Sequence, residues 1–233
     1  MARIVGAPPE MDIRAAESWV LDARSISGGP SLSGREQVVF NPFPVWRAKI
    51  TPNVLESRQQ HWAAFIARVR GRGGFIRLNA LNRFDRAALY PRFGLPSPPG
   101  AYSGTLWGGG QPWSNGMGWA WPSIRMRTAA DAAALASTVM IDRMGHAAQI
   151  RTGDRISIGG SLHIVVTVTD SGAQTEVGIE PPLRLSKPAG APISFMPTVV
   201  MQMIDDMQGR FERKARTATV DASLDLIEIP DEA

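Results

Sequence analysis

GDRISIGGSLHIVVTVTDSGAQTEVGIEPPLRLS, residues 153–186, alternates apolar and polar positions around two glycine turns and stops at a double proline. Alternation with a period of two marks strands that bury one face. Ile156 and Ile158 form one short run, Leu162 to Val168 a second, and Val177 to Ile179 a third. Gly159-Gly160 and Asp170-Ser171-Gly172 supply the positive-φ turn chemistry between them. Pro181-Pro182 cannot donate to a sheet ladder, so the third strand ends there. The stretch predicts the centre of a small antiparallel β-domain. It holds no catalytic signature and points to assembly or binding.

The rest of the chain extends that reading. Its 233 residues suffice for one large or two small domains, and 44% hydrophobic with 20% charged residues is ordinary for a folded protein. No run reaches the roughly 18 apolar residues of a membrane helix, and MARIVGAPPEMDIR lacks the apolar core of a secretory signal. No membrane insertion is expected, and cytoplasmic synthesis is the simpler expectation. Without cysteine there is no disulfide framework, thiolate nucleophile or thiolate metal site.

Charge is uneven. Residues 1–100 carry 14 Lys or Arg against 7 Asp or Glu, and residues 101–233 carry 11 against 14. All but Lys49, Lys187 and Lys214 are arginines, which pair with carboxylates in bidentate fashion and are favoured at interfaces. A basic half and an acidic end can complement one another between copies, or can simply be solvated surface. The basic residues are spread out, so specific nucleic-acid binding is not expected.

Trp19 to Ile26 reads as a strand closed by Gly28-Gly29-Pro30, and Glu36 to Phe40 with Val45 to Ile50 as the next extended segment. Pro42 and Pro44 predict that this segment is an edge strand or carries a bulge. Thr51-Pro52 has the chemistry of a helix start, and Leu55, Trp62, Phe65, Ile66 and Val69 recur at helical spacing. Arg58, Arg68 and Arg70 lie among or opposite them, and Gly71, Gly73 and Gly74 end the helix. Phe75 to Leu78 resumes as a strand. Regular structure is hard to find between Asn82 and Pro122, a Gly- and Pro-rich stretch that holds Trp107, Trp113, Trp119 and Trp121. Such a loop can present its tryptophans to sugars or to a protein partner, or can fold back and bury them. Residues 128–144 predict a turn or helical start followed by a strand over Ser137 to Asp142. Thr198 to Ile204 and Ala218 to Leu226 read as further strands, and the acidic tail after Pro230 as frayed.

Catalytic chemistry is hard to assemble. His61 lies in the helix with no ligand-spaced partner, His163 within a strand, and His146 between them, too sparse a set for zinc. Gly108-Gly109-Gly110 lacks the Lys and Ser or Thr of a phosphate loop. Asp205-Asp206, if in a strand, point to opposite faces, and Asp221 and Asp225 share a face marked as solvated by its Thr and Ser neighbours. Neither an enzyme nor a cofactor is expected.

Two segments carry a resemblance. Gly153-Asp154 with Ile156, Ile158, His163-Ile-Val, Asp170, Gly172, Val177, Ile179 and Pro181-Pro182-Leu183-Arg184 resembles a β-module recurrent in tailed-phage structural proteins. Phe40-Asn-Pro-Phe-Pro-Val-Trp-Arg-Ala followed by an amphipathic helix is similar to the first part of the same proteins. Together the segments span about two thirds of the chain. The nearest family is the distal tail protein of long, flexible-tailed phages and related gene-transfer particles. The resemblance implies a mainly β protein with one amphipathic helix. In it, a β-sandwich ring-forming domain (1–90 plus 198–233) is split by an inserted small antiparallel β-barrel of oligonucleotide/oligosaccharide-binding type (123–197); the Trp/Gly/Pro-rich loop (91–122) between them has no counterpart in the family pattern. It implies a structural virion protein of the tail tip, a homo-oligomeric and usually hexameric ring between the tail tube protein and the baseplate hub protein. Arg58, Arg68, Arg70 and Arg72 are then candidate ring contacts. Trp107, Trp113, Trp119 and Trp121 are candidate contacts to a partner or, in an alternative reading, to a host glycan.

Overall fold

The computed structural model describes residues 4–8, 11, 14–30, 33, 36–39, 41, 43–55, 58–93, 125–145, 149–209 and 219–229. The first part holds β1 (Ile4–Gly6), β2 (Arg14–Asp22), β3 (Ile26–Pro30), β4 (Glu36–Val39) and β5 (Val45–Leu55). Helix α1 (Gln59–Val69), β6 (Phe75–Asn79) and helix α2 (Arg83–Arg92) follow. Next come β7 (Arg125–Thr128), β8 (Thr138–Asp142), β9 (Arg155–Ile158), β10 (Ser161–Ser171), β11 (Gln174–Glu180) and β12 (Pro192–Ser194). The chain closes with β13 (Thr198–Met203), β14 (Thr219–Asp221) and β15 (Leu224–Glu228).

The stretch at residues 153–186 forms β9, β10 and β11 in one antiparallel run, within a closed barrel of order β10-β11-β8-β7-β12-β9. Gly159 and Gly160 both take positive φ, 56° and 96°, as a two-residue hairpin turn requires. Gly172 does the same at 71° in the next turn. β11 ends at Glu180, ahead of the double proline. Closure leaves the barrel without a free strand edge. Its core is Met126, Val139, Ile141, Ile156, Ile158, Val165, Val177, Ile179, Ile193 and Phe195 with their neighbours.

The second sheet draws on both ends of the chain. β1 runs parallel to β6, β6 pairs with β13, β13 with β15, and β15 with β5. β14 and β15 continue one register along β5: Thr219 faces Leu55, Asp221 faces Asn53 and Leu224 faces Ile50. The run expected over Ala218 to Leu226 is thus one strand in register, interrupted at Ala222-Ser223. Trp46, Ala48, Ile50 and Val54 of β5 enter the core beneath Trp62, Phe65 and Val69 of α1. The Trp62 indole donates to Gly209 O at 2.9 Å, so α1 is fixed to the turn after β13.

Several local expectations fail for tertiary reasons. β5 is central, with β2 on one side and β14 and β15 on the other, so it is neither an edge strand nor finished at Ile50. Pro44 precedes the strand, and Pro52 sits opposite the bulge between Arg14 and Ala16, where its missing N–H breaks no regular ladder. Thr51-Pro52 therefore starts no helix; α1 begins at Gln59 and Leu55 stays in β5. Trp19 to Ile26 is two strands, parted near Arg24, whose φ is +47°. A second helix, α2, occupies part of the expected loop; the Asn82 side chain caps it by accepting from the Asp85 N–H at 2.9 Å. Asp205 and Asp206 lie in a bend after β13, not in a strand. Pro42, Phe40, the tail after Ile229, His146 and the tryptophan-rich segment lie outside the described residues.

At the end of α1, a Cβ added at Gly74 meets Val69 O at 2.2 Å, whereas at Gly73 it meets nothing within 4 Å. Gly74→Ala is expected to cost about 2 kcal/mol or more and Gly73→Ala less than about 1 kcal/mol. Thermal melts of the two variants check this.

Candidate functional site at the sheet–barrel junction

The arginines singled out by sequence do not form one face. Arg58 is the residue before α1 and Arg68 lies in its last turn, about 15 Å further along the axis. Arg70 is the left-handed residue that closes the helix, and Arg72 lies in the 3₁₀ turn that follows. All four are exposed. Arg72 is pinned through its backbone: its N–H donates to Asp206 Oδ1 at 2.7 Å, and its carbonyl accepts from Gln202 Nε2. Arg68, Arg70 and Arg72 thus mark one end of the sheet layer, and Arg58 the other end of the helix. Trp107, Trp113, Trp119 and Trp121 lie outside the described residues.

Polar side chains converge instead where sheet and barrel meet. The two cores trade residues: Leu162 of β10 packs in the sheet core, while Phe93, just past α2, packs on Phe195 of the barrel at 4.9 Å. The Trp46 indole donates to Leu162 O at 3.1 Å, and the Arg184 guanidinium donates to Pro44 O at 2.9 Å. Glu228 accepts the Trp46 N–H at 3.1 Å and lies 4.0 Å from Arg184. Its burial raises its pKa despite these two partners.

A cleft of about 570 Å³ opens beside this contact, lined by Glu17, Leu81, Asp85, Arg92, Asp154 and Arg155 among others. Glu17 is saturated. It accepts from the nearly buried Arg14, from Trp19 Nε1 at 3.1 Å and from Asn82 Nδ2 at 2.6 Å. Burial works to raise its pKa, but these hydrogen bonds and the Arg14 charge outweigh that and lower it. Arg14 also donates to Met11 O and Asn79 O, which ties β2 to the end of β6. Across the cleft Arg92 of α2 grips Asp154 in bidentate fashion at 2.9 and 2.7 Å, and Asp154 also accepts the Arg151 N–H. Arg155, the first residue of β9, lies over the Trp19 ring at 5.1 Å and donates to Ala80 O at 2.9 Å. Burial depresses its pKa, the charges of Glu17 and Asp85 opposing. Among the described residues no three His, Cys, Asp or Glu groups are placed to hold a metal.

His163 is the one buried histidine among the described residues. Its Nδ1 meets Pro181 O at 2.7 Å, and Nε2 has no hydrogen-bond partner among the described residues. Alternation along β10 is complicated here because both faces are covered: Leu162 turns to the sheet core, Val165 to the barrel core.

No protein-family model matches the chain, and no curated protein matches it.

Burial lowers the His163 pKa from 6.5 to about 4, aided by Lys187 and Arg184 and opposed by the Pro181 carbonyl. The unfolded chain then binds more protons than the folded one below pH 6.5, so stability is full above that pH and falls toward pH 4 by about 3 kcal/mol. Glu228 acts oppositely, losing stability as pH rises above its unfolded value of 4.5. The difference in melting temperature between the parent and His163→Leu isolates the histidine: it should shift in favour of the variant as pH drops from 7 to 4.5. Separately, Arg92→Met is expected to destabilise by about 3 kcal/mol, since it leaves the nearly buried Asp154 carboxylate without its partner. Chemical denaturation at neutral pH measures that loss.

Proposed function

We infer that this chain is a structural subunit of a phage tail tip, a distal tail protein or a related minor tail protein, that assembles into a homo-oligomeric ring. The tail tube protein would meet one face and the baseplate hub protein the other, in the virion. The observation that carries the reading is the interrupted sheet. β1, β2, β5 and β6 from the first part of the chain and β13, β14 and β15 from the last complete one sheet, and the barrel of residues 125–194 is inserted between them. That order agrees with a ring-forming domain, of sandwich type in the proposal, split by a barrel of oligonucleotide/oligosaccharide-binding type. A closed barrel leaves the sheet as the part able to pair with other chains.

The edges of that sheet support a head-to-tail contact. Among the described residues β2 pairs only with β5 and β1 only with β6, so each leaves one edge unpaired. The β3–β4 hairpin beyond β2 exposes Val38 and Val39, and β2 exposes Val20. Heterologous contacts of this kind close into rings when the rotation between copies permits.

Light scattering coupled to size exclusion should give six times the 25.2 kDa chain mass at high concentration. A strict monomer there would sink the ring reading. Reversing charge at one end of the helix with Arg68→Glu and Arg72→Glu should lower the assembled fraction by about tenfold if these arginines bridge copies.

A further inference from the structure

The junction cleft contains more guanidinium than its own carboxylates consume. Six charged residues line it: Arg92, Arg151 and Arg155 against Glu17, Asp85 and Asp154. Arg92 and Asp154 neutralise each other in a bidentate pair, and Glu17 is neutralised by Arg14 from behind the wall. Among the described residues Arg151 and Arg155 then stand against Asp85 and whatever charge of Glu17 is left by Arg14. Counted over the described residues, the cleft with Arg14 keeps one positive charge in excess.

Arg155 is the informative member. A guanidinium carries five N–H donors, and among the described residues this one spends a single donor, on Ala80 O. Among the described residues no carboxylate lies within ion-pair distance of it, although its charge is partly withdrawn from water. Its guanidinium carbon lies over the Trp19 ring at 5.1 Å, so one side of the group is covered by the indole. Half-buried cations of this kind are normally paired. Arg151 stands at the exposed rim of the same cleft. Leu81, Ala88, Leu89 and Ile164 supply apolar wall beside them.

We propose that this cleft binds a small organic carboxylate, its oxygens received by Arg155 with support from Arg151 and its carbon body lying against Leu89 and Ile164. A fork of parallel N–H groups suits a planar carboxylate. The single excess positive charge fits a monoanion and disfavours a phosphate dianion, which would bring a second negative charge near Asp85, Asp154 and Glu17. The site joins residues of β2, α2 and β9, so a bound ligand also bridges sheet and barrel. It is independent of ring assembly and holds for a monomer as well as for a hexamer.

Benzoate, its neutral isostere benzamide and inorganic phosphate, titrated calorimetrically into the full chain, test it. Saturable benzoate binding at millimolar concentrations or below is expected, with benzamide and phosphate weaker by about tenfold. Arg155→Gln should weaken benzoate binding by about tenfold or more, and the exposed Arg151→Gln by about threefold. Circular dichroism and melting show that each variant folds. If Arg155→Gln does not fold, Arg151→Gln decides. The proposal is overturned by absence of saturable benzoate binding up to tens of millimolar, by equal binding of benzamide, by tighter binding of phosphate, or by full benzoate affinity in the folded variants.

Discussion

The pairing of β6 with β13 is the constraint on which the rest of the molecule rests. Asn79 faces Thr198 across the ladder, and the Ala80 N–H donates to Pro197 O at 2.9 Å. Among the described residues, all strands between those positions lie outside this sheet, so the chain leaves it and returns at one point. A segment with its ends held together can be a complete unit of its own, and the barrel is one. The same pairing brings Ala80, Leu81 and the cap of α2 against the barrel, where Arg155 finds the Ala80 carbonyl. Were β6 and β13 apart, neither the junction nor its cleft would exist.

The junction itself is a mixed contact, and its parts differ in what they contribute. Leu162 in the sheet core and Phe93 on Phe195 bury apolar surface, the term that scales with area. The polar contacts set orientation. Trp46 and Arg184 each place one N–H on a carbonyl of the other unit, and Arg14 with Glu17 and Asn82 ties β2 to the start of α2. Buried ion pairs of this sort give little net stability relative to apolar packing, but losing one partner is expensive. Together the polar contacts fix several separate points, between sheet and barrel and between β2 and α2.

Legibility in the sequence followed the distance over which each feature is decided. The β9–β11 run was readable because a period of two, two glycine turns and a double proline are all local. Trp62, Phe65 and Val69 revealed α1 for the same reason. Pro52 misled because its Thr-Pro chemistry is that of a helix start, whereas β2 and its bulge, brought from nearly forty residues upstream, decide that it stays in a strand. α2 hid behind the proline at 91 and the glycines that follow, although Asn82 and Asp85 signal its cap. The cleft was beyond reach: Glu17, Arg92 and Asp154 are far apart in the chain and lack any motif. Arg68, Arg70 and Arg72 are dense in sequence, whereas Arg155 stands isolated in a strand pattern.

The insertion of the barrel also orders events in time. Every strand of the barrel comes from residues 125–194, so its contacts can form as soon as that stretch leaves the ribosome. The sheet cannot be finished until β15, at Leu224–Glu228, has been made, because β15 lies between β13 and β5. Until then β5 lacks a central neighbour, and Ile50 and Val54 lack part of their cover. Pairing across so long a separation in sequence is intrinsically slow. A barrel closed first shortens the free chain between β6 and β13, and a shorter loop costs less entropy to close.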